Sequence, residues 1–204
     1  MAAVLRLGVG ERGVTEIMAI SEHVSSLCAG AAALQLAPDV PERRGPEPAA
    51  VGGSPPGSAA EVLGEVAAWT RERLGVDRVP DFWRALAHQP RFLRATWAKD
   101  RLVLSPGRLD EPAKLCIACA VAANRQSAYW IAYLTELLRR RASMDEPALV
   151  ELTASVMHYV SFNTVAHAMG IGAPYQEMTA ADFEDAQVRS GRLKACTTRR
   201  RWLV

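Results

Sequence analysis

The fold is decided by residues 109–134, which read LDEPAKLCIACAVAANRQSAYWIAYL. Asp110 can accept hydrogen bonds from the free N–H groups at a helix N-terminus, and Pro112 fits the first helical positions. A long alanine-rich, apolar run follows, and then a second run rich in aromatic residues. The stretch therefore predicts two consecutive helices, over about 111–123 and 126–141.

The same helix start occurs a second time in the chain. Leu109-Asp-Glu-Pro-Ala is matched by Met144-Asp-Glu-Pro-Ala, and the second copy predicts a helix over about 146–169 that ends at a glycine. Hydrophobic periodicity predicts four further helices. Their approximate bounds are 14–36, 59–74, 81–88 and 92–103.

Composition agrees with a helical fold. Of 204 residues, 50% are apolar and only 6% are aromatic, which suits an alanine-rich helical core better than a β-sandwich. We expect an all-α protein, a compact bundle of five or six helices. The predicted organisation is an N-terminal extension over 1–37 with one short helix, a Pro- and Gly-rich linker over 38–58, a helical domain over 59–172 and a basic C-terminal tail over 173–204.

Charge and apolar patterning exclude several classes of protein. The net charge of +2 gives no reason to expect a nucleic-acid partner. No apolar run reaches the roughly 18 residues that would cross a membrane. The stretch around Leu27 lacks a preceding basic region, and Leu27 stands where a lipid anchor at Cys28 would need a small residue. Four cysteines in a chain of this size predict free thiols and a cytoplasmic protein.

Cys116 and Cys119 form a CxxC pair, the spacing of many redox motifs. They lie inside an apolar helix, where a free cysteine behaves as a small buried hydrophobic residue. Core packing is favoured, and redox chemistry stays open as the alternative. Neither a second cysteine pair nor a histidine pair lies nearby at the spacing of a zinc site.

The histidines do not predict a metal site. His158 and His167 are nine residues apart, which places them on opposite sides of one helix. His88 stands at the end of a predicted helix, where a cation suits the helix dipole. We expect structural roles for all three, and no metal or cofactor.

Gln126, Tyr129 and Tyr133 lie three and four residues apart and share one helical face. Tyrosine combines an apolar ring with a polar tip, so these side chains could line a pocket or pack between helices.

Residues 79–170 resemble the alkylhydroperoxidase-D-like, carboxymuconolactone decarboxylase superfamily. The resemblance rests on five short pieces of sequence. They are Val79 to Pro90, Gly107 to Asp110, the alanine-rich run from Leu115 to Asn124, Phe162-Asn163, and Gly170-Ile171. The resemblance implies an all-α fold and a homo-oligomer, a trimer or a larger ring.

The redox members of that family carry a Glu at the head of the central helix, followed by a CxxC pair and a His. The resemblance places these four residues on Lys114, Gln126, Tyr129 and Tyr133, so all of them are replaced. Gln and Tyr have no nucleophilic sulfur, and Lys cannot take the role of the Glu at neutral pH without strong desolvation. The resemblance thus implies the family frame without its peroxidase machinery.

Three functions follow as hypotheses. The first is a non-redox binding or scaffold protein, with Lys114, Gln126, Tyr129 and Tyr133 around a former active site. The second is a lyase or isomerase for a small carbonyl or lactone, with Lys114 as base or electrophile and Tyr133 as acid. The third is a thiol peroxidase that uses Cys116 and Cys119. The expected partners are further copies of the chain and a small organic ligand, with neither a membrane nor nucleic acid.

Overall fold

The computed structural model describes residues 10–40 and 57–171. Most of the predicted linker over 38–58 and all of the predicted basic tail over 173–204 lie outside the described residues.

Seven helices and no strand form within the described ranges, which confirms the all-α prediction. They are α1 (Gly10–Ala33), α2 (Gly57–Leu74), α3 (Asp81–Leu86), α4 (Pro90–Leu104), α5 (Glu111–Asn124), α6 (Ala128–Arg141) and α7 (Glu146–Ala168). Helices α2 to α7 begin and end within two residues of the predicted bounds. None of these helices combines the length and apolar character that crossing a membrane requires.

The two repeated helix starts behave as predicted. The Asp110 side chain accepts a hydrogen bond of 2.9 Å from the Ala113 N–H, and Asp145 accepts one of 3.0 Å from the Ala148 N–H. Each helix has a proline in its first turn, where no backbone donor is needed. These caps fix where α5 and α7 leave the preceding loops.

Helix α1 is part of the core, whereas the sequence predicts an extension outside the helical domain. Ile20, Val24 and Leu27 are buried because they follow one another at helical spacing on one face. That face packs against α4, α5 and α6. The Trp130 indole N–H donates to the Leu27 carbonyl at 2.9 Å, which ties α6 to α1.

The first residues of the predicted linker are also buried. Asp39 is 2% exposed and Val40 is 3% exposed. The Asp39 carboxylate accepts a hydrogen bond of 2.6 Å from the Asp81 N–H, at the start of α3. The Asp39 side chain thus supplies an acceptor for the N-terminus of α3, where the N-cap residue Pro80 makes no side-chain hydrogen bond.

Aromatic rings fill the space between α2, α3, α4 and α6. Trp83 meets Trp97 edge to face with ring centroids 5.1 Å apart, and Trp130 meets Phe82 in the same way at 5.1 Å. Edge-to-face contacts of this kind add to the free energy gained from burial. Trp130 of this cluster also contacts the rings of Tyr129 and Tyr133, both at centroid distances of 5.3 Å.

Candidate functional site

Lys114, at the head of α5, is 3% exposed and fully engaged. Its ammonium lies 3.1 Å from the Glu16 carboxylate and donates to the Val103 and Ser105 carbonyls at 3.0 and 2.7 Å. An ammonium has three donors, so these contacts use all of them. Lys114 therefore joins α1, α5 and the end of α4, and it is not held as a free base or nucleophile.

Glu16 is the centre of this arrangement, and the sequence analysis missed it. Its carboxylate accepts hydrogen bonds from the Arg108 and Leu109 N–H groups at 2.7 and 3.0 Å. These backbone donors, helped by Lys114, hold the Glu16 pKa below its ordinary value. A β-carbon at Gly107 would lie only 2.6 Å from a Glu16 oxygen, so a larger residue there would push the Glu16 carboxylate away from its present position. We call Glu16, Lys114 and the backbone of residues 103–109 the α1–α5 clamp.

Tyr129 and Tyr133 lie in the aromatic core. The Tyr129 hydroxyl accepts a hydrogen bond of 3.2 Å from the Phe82 N–H and is hydrogen-bonded to Asp39. The Tyr133 ring stacks on Trp69 with centroids 6.4 Å apart. Burial, and then the charges of nearby carboxylates, raises the pKa of both phenols well above their ordinary value of 10.0. Neither phenol is suited to donate a proton readily at neutral pH.

Gln126 is exposed and belongs to the turn between α5 and α6. Its φ of +54° is left-handed, and its N–H donates to the Ala123 carbonyl at 3.0 Å. Hydrogen bonds of this pattern close a helix C-terminus. The predicted start of a helix at this residue is therefore wrong by two positions, because Gln126 ends one helix and α6 begins at Ala128.

The four positions given by the resemblance do not share one cavity. Gln126 faces solvent, and Tyr129 lies between α3 and α6. Lys114 and Tyr133 each contact a residue that lines the same cavity, although neither lines it directly. Lys114 binds the Ser105 carbonyl, Tyr133 stacks on Trp69, and both Ser105 and Trp69 line a cavity between α2 and α4.

This α2–α4 cavity has a volume of about 180 Å³. Its lining consists of Trp69, Arg73, Asp100, Arg101 and residues 104–106. The buried Asp100 carboxylate is held from behind by His23, whose Nε2 lies 2.9 Å from Oδ1. Sequence reasoning singled out none of these four charged or aromatic residues nor His23, because they come from three helices far apart in the chain.

Cys116 and Cys119 lie on α5, and Cys28 lies on α1. All three are free thiols. Burial raises the pKa of each of them above the ordinary value of 9.0. A raised pKa lowers the fraction of thiolate, which is the reactive form.

The histidines named from the sequence are all exposed: His88 follows α3, and His158 and His167 lie on α7. Within residues 10–40 and 57–171, no group of three or more His, Cys, Asp or Glu side chains is arranged to hold a metal ion.

A second cavity, the α5–α7 groove, is open to solvent and has a volume of about 370 Å³. Apolar side chains dominate its lining, among them Ile117, Val121, Val156 and Val160, with Asn124 and Asn163 at polar positions. Large apolar side chains are also exposed around much of the circumference of α7, and we call this set of residues the α7 face. They are Val150, Met157, Tyr159, Val160, Phe162 and Val165, continued by Met169 and Ile171 after the helix.

Comparison with known proteins returned no matching family model, no matching curated protein and no matching solved structure.

Proposed function

We propose that the protein is a non-redox, alkylhydroperoxidase-D-like scaffold that assembles with further copies of itself through the α7 face. The observation that carries the proposal is a helix of 23 residues with one buried residue, Leu149. From Leu152 to Ile171 the sequence contains no Asp, Glu, Lys or Arg. An apolar helix without a polar side is typical of a helix that is covered all round.

The hydroxyl groups of α7 support burial against a partner. Thr153 and Thr164 each donate to the carbonyl four residues earlier at 2.8 Å, and Ser155 and Ser161 do the same at 3.0 and 2.8 Å. A hydroxyl that is satisfied by its own helix can be buried without a new hydrogen bond. The four hydroxyls therefore add little cost to burial of the helix, whose exposed polar side chains with hydrogen bonds to make include His158, Asn163 and His167.

A second copy of the chain is the occupant that fits this surface. Residues 152–171 contain no Asp, Glu, Lys or Arg, so a strongly charged partner would find only His158 and His167 to pair with. The α5–α7 groove adjoins the α7 face on the same helix, so two copies could place each α7 in the groove of the other. Such a reciprocal contact closes on itself. A stable interface usually takes about 800 Å² from each partner.

The loss of redox chemistry is the other half of the proposal. The pKa of both Cys116 and Cys119 is raised by burial, and Lys114 has no free donor. These features favour a scaffold over a thiol peroxidase or a lysine-dependent lyase. The three free cysteines also support a reducing, cytoplasmic location as part of the proposal.

Light scattering coupled to size-exclusion chromatography tests the assembly. We expect the full chain to elute as a dimer or larger homo-oligomer, and the double variant Phe162→Arg, Val165→Arg to elute as a monomer. Leu102→Arg is the matched control, because Leu102 is 74% exposed on α4 and lies outside the α7 face. A wild-type monomer, or a double variant that still assembles, would overturn the proposal.

A peroxide assay tests the absence of redox chemistry. Incubation of the reduced protein with an organic hydroperoxide and a dithiol reductant should give no turnover above the buffer rate. Turnover that is lost in Cys116→Ser would replace the scaffold with the peroxidase hypothesis.

A further inference from the structure

The α2–α4 cavity has the dimensions of a site for a small metabolite. Its volume of about 180 Å³ is below the ~300–1,000 Å³ of pockets that hold drug-sized ligands. Trp69 forms an apolar wall, and Arg73, Asp100 and Arg101 bring charge to the lining. A few convergent polar groups beside an aromatic wall are typical of ligand sites.

Two guanidinium groups supply hydrogen-bond donors. Arg73 binds the Glu111 carboxylate through Nη1. Its Nε is buried and out of reach of a ligand, which leaves the Nη2 donors. Arg101 lies 3.3 Å from Glu65 through its own Nη1 and is about half exposed. A guanidinium carries five N–H donors, so both groups retain donors after these contacts. Arginine is well suited to bind a carboxylate in this way.

Asp100 supplies a hydrogen-bond acceptor to the same cavity. Its side chain is 8% exposed, and His23, which is 2% exposed, binds only one of its oxygens, Oδ1, in the contacts described. A carboxylate has several acceptor sites. Asp100 can therefore still accept a hydrogen bond from a donor in the cavity, while the contact with His23 fixes its orientation.

We propose that the α2–α4 cavity binds a small α-hydroxy or α-amino acid. The ligand carboxylate meets Arg73 and Arg101, the adjacent hydroxyl or ammonium donates to Asp100, and the short aliphatic part lies against Trp69. The site does not depend on assembly, because none of the lining residues belongs to α7. Failure of one proposal therefore leaves the other standing.

Calorimetric titration with four probes of similar size tests the ligand class. The probes are lactate, alanine, propionate and ethylamine. Lactate or alanine should bind saturably, and propionate and ethylamine should bind at least about tenfold more weakly, because each lacks one of the two polar groups. The two expected ligands also separate the alternatives, since a hydroxyl and an ammonium place different charges beside Asp100. Binding should change the fluorescence of the protein, because Trp69 lies in the wall.

Arg101→Gln and Arg94→Gln form a matched pair of variants. Both arginines lie on α4 and pair with a Glu of α2, Arg101 with Glu65 and Arg94 with Glu61. Only Arg101 lines the cavity. Arg101→Gln should weaken binding of the preferred acid about tenfold, and Arg94→Gln should leave it unchanged.

The absence of saturable binding of both lactate and alanine to the folded wild-type protein would overturn the proposal. So would equal affinities in Arg101→Gln and the wild type, or binding of propionate as tight as that of the preferred acid. Arg73→Gln is a second test of the same site. It should lower the affinity for the preferred acid at least as much as Arg101→Gln does. An unchanged affinity in that variant would contradict the site.

Discussion

Helices α6 and α7 follow one another in the chain but differ in what covers them. Seven of the 14 residues of α6 are buried, against one of the 23 residues of α7. Helix α6 packs against α1, α2 and α5, whereas α7 packs mainly against α5. The comparison teaches that apolar composition alone does not bury a helix. Burial requires neighbours on several sides, and α7 has one within the described chain.

The two regions also treat polar groups differently. Around α6, buried polar atoms bind partners on other elements, as Trp130 binds Leu27 and Tyr129 binds Phe82. In α7, the hydroxyls bind their own helix. Specific long-range hydrogen bonds fix one arrangement of the core, while the hydroxyls of α7 make no hydrogen bond to another helix in the contacts described.

The largest expected effect lies on the buried side, at the α1–α5 clamp. Lys114→Met should lower the free energy of unfolding by about 3 kcal/mol, because the Glu16 carboxylate and two carbonyls lose their partner. Urea unfolding followed by circular dichroism measures the change.

Lys99→Met is the control for this substitution. Lys99 pairs with Glu22 at the surface, with 43% of its side chain exposed, so its loss should cost much less stability than the loss of Lys114. Equal losses in the two variants would show that the clamp contributes no more than a surface ion pair.

Amide hydrogen exchange compares directly how well the backbones of α6 and α7 are protected. In the monomeric Phe162→Arg, Val165→Arg variant, α7 amides should exchange on the order of a hundredfold faster than those of α6, because few contacts hold α7 closed. In the assembled wild type the difference should shrink. Mass spectrometry of peptides from the two helices measures both rates. Equal protection of α7 in the monomer would mean that α5 alone is a sufficient neighbour.

The sequence predicts the helices well because their signals are local. Asp110 and Asp145 cap the helices that their sequence contexts predict. The sequence does not predict the clamp or the α2–α4 cavity, since Glu16 and Lys114 are 98 positions apart in the chain and only tertiary packing brings them together. For the same reason α1 could not be assigned to the core. Its apolar face was visible, but the helices that cover it were not.

The pH dependence of stability tests how much Glu16 contributes to the α1–α5 clamp. Its pKa is lowered in the folded protein, first by the Arg108 and Leu109 N–H groups. A lowered pKa gives stability that is fully present above the unfolded value of about 4.5 and is lost as the pH falls through the folded value. Glu16→Gln should therefore be less stable than the wild type at neutral pH, and the gap should narrow below pH 4.5. Unfolding midpoints in urea across this range measure it.

Asp39 contributes a pH dependence of stability that is opposite in sign to that of Glu16 over the same range of pH. Burial raises its pKa above 3.8, so stability falls as the pH rises through this window. The comparison of Glu16→Gln with the wild type removes this contribution, because Asp39 is present in both. A gap that stays constant down to the lowest pH would contradict the role of Glu16.

The smallest expected effect concerns Gln126, and it tests whether this residue has a functional role besides its place at the end of α5. Three helices end with a left-handed residue and the same backbone hydrogen bonds: Gln35 after α1, Gln126 after α5 and Gly170 after α7. A non-glycine residue pays a steric cost at this position, so Gln35→Gly and Gln126→Gly should each raise the free energy of unfolding by up to about 1 kcal/mol. Thermal unfolding measures both. If the Gln126 side chain only ends α5, the two variants will gain equally, and both will keep the binding and assembly of the wild type. A loss of ligand binding in Gln126→Gly, but not in Gln35→Gly, would indicate that Gln126 belongs to a functional site.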